Sequence, residues 1–90
     1  MSTESTETSA AAVEAVVVAW LCDELRIDAS ELARDAKLVR TGLLDSAGLV
    51  QLATHLERKF GIQIPDRYID ADHLDSVAMI VDTVQRLMRT

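Results

Sequence analysis

An all-α bundle of three long helices and one short helical turn is the fold predicted by three observations in the sequence. Apolar residues recur at three-to-four spacing in three separate segments, the period of one helix face. The one strand-like run, Val16-Val17-Val18, is absorbed by a helical period that continues past it. Ninety residues with 49% hydrophobic but only 3% aromatic content describe one small domain whose core must be aliphatic. No internal repeat divides it.

Each element follows from its residues. Met1 to Ser9 is rich in Ser, Thr and Glu, offers nothing to bury, and is expected to be a disordered tail ahead of a single domain over 10–90. Ala10 to Arg26 carries the stripe Val13, Val16, Val17, Trp20, Leu21 and Leu25, a helix of about four turns. From Ile27 to Asp45 the period is lost, although Ile27, Leu32, Leu38, Leu43 and Leu44 are each candidates for the core. A long ordered loop is expected there, with a short turn near Ser30 to Arg34; ordered loops of this length are often functional. The second helix runs from Ser46 to Phe60 with Leu49, Leu52, Ala53, Leu56 and Phe60 on one face, and stops at Gly61. Ile62 to Pro65 reads as an extended link, because the residue before proline avoids helical angles. Asp66 to Asp70 is expected to form the short turn, burying Tyr68 or Ile69. The final helix begins near Ser76 and runs to about Met88, with Val77, Ile80, Val81, Val84, Leu87 and Met88 inward and Asp75 or Ser76 as cap.

Composition excludes several function classes. A formal net charge of -6 argues against nucleic-acid binding, which needs clustered Lys and Arg, and favours a basic partner surface. A chain this small has little room for a deep substrate cavity, which weighs against an independent enzyme. There is no apolar run of roughly 18 residues and no basic-then-apolar N-terminus, so a cytoplasmic location is expected. Cys22 is the single cysteine, flanked by Trp20, Leu21 and Leu25, and reads as a semi-buried helical thiol that has no disulfide partner within the chain. His55, His73 and nearby Asp72 do not make a metal-ligand pattern, and no metal is expected.

The most informative stretch is Gly42-Leu43-Leu44-Asp45-Ser46. It places a serine at or beside the N-cap of the second helix, after a glycine that permits backbone angles other residues resist. A phosphate attached there would meet the partial positive charge of a helix start. A second Leu-Asp-Ser triplet, Leu74-Asp75-Ser76, shows that the triplet alone decides nothing. Capping accounts for Ser76. At Ser46 capping and a functional hydroxyl stand level on the residues alone, with Ala47 and Gly48 expected as small, solvent-facing neighbours that leave room for a large partner.

Other roles for Ser46 fit less well. A hydrolytic nucleophile needs an adjacent base, and His55 lies over roughly 13 Å along the helix at 1.5 Å per residue. His73 lies in a polar stretch and reads as solvated. Charge is uneven along the chain. Ser46 to Phe60 sets Glu57 against Arg58 and Lys59, a balance of +1, whereas Pro65 to Ser76 sets four aspartates against Arg67, a balance of -3. The acidic segment reads first as a solvated face and second as a steering patch for basic partners.

Taken in order, Thr41 to Ser46, Leu56-Glu57-Arg58-Lys59-Phe60-Gly61 and Ile62-Gln63-Ile64-Pro65-Asp66 resemble an acyl or peptidyl carrier protein, over roughly Val13 to Met88. The resemblance implies a four-helix carrier bundle in which Ser46 receives 4′-phosphopantetheine from coenzyme A, by a separate phosphopantetheinyl transferase acting with magnesium. The arm's thiol would then hold an acyl, aminoacyl or peptidyl group as a thioester, making the chain a carrier and not a catalyst. Asp45 would set the helix start, and Asp45, Ala47 and Val50 would form the docking face. The implied partners are an adenylating ligase or acyltransferase and downstream synthase, condensation or tailoring enzymes, with the carrier itself monomeric.

Two departures from the family pattern qualify this. Ala47 stands where many members carry Leu or Met, and the second helix is near neutral where fatty-acid-synthase carriers are strongly acidic. Ala47 trims an exposed apolar contact and bears on the choice of transferase and partner, while the near-neutral helix and the run Ser46 to Leu52 lean toward stand-alone carriers paired with adenylating ligases, such as D-alanyl and aminoacyl carriers, in a polyketide, nonribosomal-peptide or related pathway. The alternative is a helical adaptor that binds a partner through its apolar faces and aspartates without covalent modification. An enzyme using Cys22 comes third, because no histidine is local to it.

Overall fold

The computed structural model describes residues 9–89, and among them the fold is entirely helical. Helix α1 spans Ala10–Leu25, α2 Ser46–Phe60, α3 Ala71–Leu74 and α4 Val77–Met88. Of the expected tail, Met1 to Thr8 lies outside the described residues. Ser9 belongs to the fold: its Oγ accepts the Ala12 N–H at 3.1 Å and caps α1.

Each long helix buries the face its spacing predicts. Val13, Val17 and Leu21 of α1 are buried, with Val16, Trp20 and Leu25 half-buried at the edge of the same stripe. Leu49, Leu52, Ala53 and Leu56 of α2 and Val77, Ile80, Val81 and Val84 of α4 complete an aliphatic core. α1 packs most extensively on α4, and α3 packs against α4. Arg34 Nε pairs with Glu14 Oε1 at 2.8 Å, tying the long loop to α1.

The long loop between α1 and α2 is ordered because it buries its own leucines. Leu32, Leu38 and Leu44 enter the core, and Ile27 is half-buried. Leu43 departs from expectation. It is 52% exposed, because Leu44 takes the inward position at the loop's end. The expected turn is a 3-10 turn at Ala29–Glu31, held by the Asp28 N–H donating to Glu31 Oε1 at 3.0 Å.

Two boundaries also differ. α1 ends at Leu25, with Arg26 in the left-handed region at φ 59°, where its N–H still donates to the Cys22 carbonyl. The segment after Pro65 holds two short pieces in place of one: a 3-10 turn at Asp66–Tyr68, then α3. Tyr68 and Ile69 are both half-buried, and the fourth helix of the bundle is α3. Asp70 caps α3 by accepting the His73 N–H at 3.1 Å, a signal masked in the sequence by the density of aspartates.

That segment is therefore no simple solvated face. Asp66 and Asp72 are exposed, but Asp70 is spent on capping α3 and Asp75 is fully buried. His73 is likewise engaged. Its Nδ1 lies 2.8 Å from Asp70 Oδ1, its ring meets Tyr68 edge-on at 4.8 Å, and its carbonyl accepts the Thr83 hydroxyl at 3.0 Å. The hydrogen bond from His73 holds the Asp70 carboxyl below its ordinary range, against an opposing effect of burial.

Candidate functional site

Which residue caps α2 decides what Ser46 is free to do. Asp45 takes the cap: its backbone is extended, and its Oδ1 accepts the Gly48 N–H at 2.8 Å. Ser46 is therefore the first helical residue. It is exposed, and among the described residues no hydrogen bond engages its hydroxyl. Capping does not explain Ser46.

Packing below the serine holds this register. Gly42 sits at φ 83°, a left-handed turn that L side chains resist, and its N–H donates to the Val39 carbonyl at 3.0 Å. Leu44 then folds inward onto Gly48. A Cβ at Gly48 would lie 2.7 Å from Leu44 Cδ1, closer than van der Waals contact permits, and 3.3 Å from Asp45 Oδ1, a tight contact. Gly48 is thus buried under Leu44, not solvent-facing as its small size suggests; Ala47 alone of the pair is exposed. Among the described residues Leu43 and Val50, 52% and 53% exposed, stand as the large apolar side chains left in solvent, one on each side of Ser46 in the chain.

The remaining candidates do not join Ser46. His55 is half-buried, its ring 6.2 Å from that of Trp20. Cys22 is half-buried against the core and borders a broad surface depression with Asp23, Glu24, Arg26 and Glu31. Among the described residues no three His, Cys, Asp or Glu side chains come together to hold a metal. No helix among them is long and apolar enough to cross a membrane.

The residue that sequence reasoning missed is Asp75. Its side chain is fully buried, and its Oδ1 accepts the N–H groups of Leu38, Val39 and Arg40 at 3.0, 2.8 and 3.2 Å. Burial is the strongest single influence on this carboxyl and opposes its ionisation. The hydrogen bonds from Val39, Arg40 and Leu38, with the Arg40 charge, together outweigh it and hold the group below its ordinary range. The one available signal was that Asp75 and Ser76 are successive capping residues, and a helix start uses only one of them.

Ser46 is thus an exposed serine without a capping role, at the start of a helix after a long pinned loop. The family described as a phosphopantetheine attachment site matches residues 15–84. The chain belongs to the phosphopantetheine-binding carrier family.

Relatives agree on the class. The carrier is 35% identical over 77 residues to an acyl carrier protein of Campylobacter jejuni, covering 86% of this chain and 92% of the relative. It is 35% identical over 71 residues to a D-alanyl carrier protein of Bacillus velezensis, covering 79% and 87%. An acyl carrier protein of Helicobacter pylori is 30% identical over 69 residues, covering 77% and 86%. Membership brings with it a covalent 4′-phosphopantetheine, a phosphopantetheinyl transferase that installs it, and enzymes that load and process the cargo. A carrier holds its cargo and does not catalyse.

The residues at the α2 start fit that group on grounds of access. The Ser46 hydroxyl is exposed and unengaged, and exposed Ala47 follows it. The field of the helix start is a weaker attraction for phosphate than the sequence suggests, because the Asp45 carboxylate already occupies the cap.

Proposed function

We propose that Ser46 is the attachment residue, and that this is a discrete carrier loaded in trans with an acyl, aminoacyl or peptidyl group in a polyketide, nonribosomal-peptide or related pathway. The observation that carries the assignment is the exposed Ser46 hydroxyl, released from capping by Asp45. In the attachment step, Ser46 Oγ bonds to the pantetheine-bearing phosphorus of coenzyme A and the diphosphate linkage breaks. The nucleotide half leaves, and the hydroxyl proton passes to the transferase. The arm then supplies a thiol for thioester formation. A flexible tether raises the effective concentration of cargo at each docked enzyme, and weak docking permits release.

The docking face is proposed as Asp45, Ala47 and Val50, extended by exposed Leu43, around Ser46. Leu43 and Val50 supply apolar contact, and Ala47 keeps the centre flat. The balance of +1 over Ser46–Phe60 supports loading by an adenylating ligase, and likeness to a D-alanyl carrier supports the same subclass. A cytoplasmic setting, where coenzyme A and the ligases are available, completes the reading.

Incubation with a broad-specificity transferase and coenzyme A, followed by intact mass, is expected to show one phosphopantetheine adduct on the parent and none on Ser46→Ala. An adduct on Ser46→Ala, or none on the parent, sinks the assignment.

A further inference from the structure

Leu38 ties the second half of the long loop to the α3–α4 junction and to the loop's end. Its N–H donates to the Asp75 carbonyl at 2.7 Å and to Asp75 Oδ1 at 3.0 Å, while its carbonyl accepts the Leu44 N–H at 2.9 Å. Leu44 in turn packs onto Gly48 within the first turn of α2. A continuous set of contacts therefore runs from the α3–α4 junction to the residues that flank Ser46.

The anchor of that set is a charge with no other duty. Asp75 does not cap α4, because Ser76 does so by accepting the Met79 N–H at 3.2 Å. Its Oδ1 gathers three successive N–H groups, the arrangement by which a turn of backbone binds an anion. Its Oδ2 is buried without a hydrogen bond, and Arg40 Nε lies 3.3 Å away, within ion-pair range but not aligned to donate. The exposed Arg40 guanidinium also reaches Asp72 Oδ1 at 3.2 Å. A buried carboxylate with three charge-assisted bonds fixes the loop more firmly than neutral contacts would.

We propose that Asp75 is a positioning residue for the modification of Ser46: it sets the geometry of residues 38–44 and through Leu44 the presentation of the serine to the transferase. This rests on Ser46 being the attachment residue. Asp75 touches no reacting atom. Its effect is to keep one arrangement of the loop populated, so that the transferase does not have to select it on binding.

The test compares the parent, Asp75→Asn and Leu56→Ala, the last a core variant remote in sequence from the loop. Modification rates are measured at a temperature where all three are folded, at low and saturating carrier concentration. Asp75→Asn is expected to lower kcat/KM about tenfold or more, as small misplacements of a reacting group do. Leu56→Ala is expected to leave kcat/KM of the folded protein unchanged. Amide hydrogen exchange supplies a readout that needs no modification: in Asp75→Asn the amides of Leu38, Val39, Arg40 and Leu44 exchange faster, while those in the middle of α1 keep the parent rate. Should Asp75→Asn fail to fold, Arg40→Gln is read by the same exchange, with the smaller acceleration expected from losing the cation beside Oδ2. Parent-like modification of Asp75→Asn, equal slowing in Leu56→Ala, or unchanged exchange at Leu44 overturns the proposal. Modification of Ser46→Ala instead defeats the attachment assignment and leaves the exchange result to judge Asp75.

Discussion

Two copies of Leu-Asp-Ser occur in this chain, each entering a helix, and they do opposite things. In both the leucine is buried, Leu44 at 3% and Leu74 at 0% exposure. At the first copy the aspartate is the cap, so the serine becomes the first helical residue and its hydroxyl is left in solvent. At the second copy the serine is the cap, so its hydroxyl is consumed and the aspartate turns back into the protein to bind the loop. A shift of one residue in the cap register separates an exposed surface hydroxyl from a structural one. The two copies are also joined, because Leu38 bonds to Asp75 on one side and Leu44 on the other.

The largest effect expected from breaking this comparison is on modification. Ser46→Ala should abolish the phosphopantetheine adduct and leave the melting temperature near that of the parent, whereas Ser76→Ala should be modified normally. Intact mass and thermal melts, run side by side, read both. The reverse pattern would mean that the register has been assigned to the wrong triplet.

Core truncation comes next. Leu52→Ala, Leu56→Ala and Leu74→Ala, all at fully buried positions, should each cost about 2 to 5 kcal/mol in denaturant unfolding. Retention of the parent midpoint by any of them would show that its face is misplaced. Gly48→Ala should cost about 1 to 3 kcal/mol by forcing Leu44 off its seat, although alanine is ordinarily the better helix former. A neutral or stabilising Gly48→Ala would disprove the close approach.

The caps test the register most directly. Asp45→Ala and Ser76→Ala should each destabilise by about 1 kcal/mol, and Ser46→Ala should not. The mildest test is acid. A carboxyl held below its ordinary value of 3.8 contributes stability that is present above that pH and is lost as pH falls through the lower folded value. The stability gap between the parent and Asp75→Asn should accordingly narrow on acidification in that range. Asp70 is lowered as well but is common to both proteins, so the difference isolates Asp75. A gap that holds constant would mean that the Asp75 charge does not matter.

Much of the fold was legible because helical period is a local property. The stripes of α1, α2 and α4 and the Gly61 stop were readable from spacing alone, as was the order of motifs that points to a carrier. The short α3 was not, since four residues between aspartates carry no period. Leu43 and Leu44 are chemically identical neighbours, and only the path of the chain sends one inward. Gly48 was misjudged for a related reason: a small residue serves equally to clear a surface and to admit a neighbour from below.

The sequence by itself determined the class of fold, the existence and inward faces of the long helices and the choice of Ser46 as the candidate serine, because each depends on residues close together in the chain. Tertiary structure decided which triplet capped with its aspartate and which with its serine. Both residues are competent caps, and local propensity leaves them nearly equal. The choice falls to contacts made far away: Asp75 is drawn to amides 35 to 37 residues distant, which leaves Ser76 to cap. Among the described residues no such partner competes for Asp45, so it caps, and the Ser46 hydroxyl stays exposed.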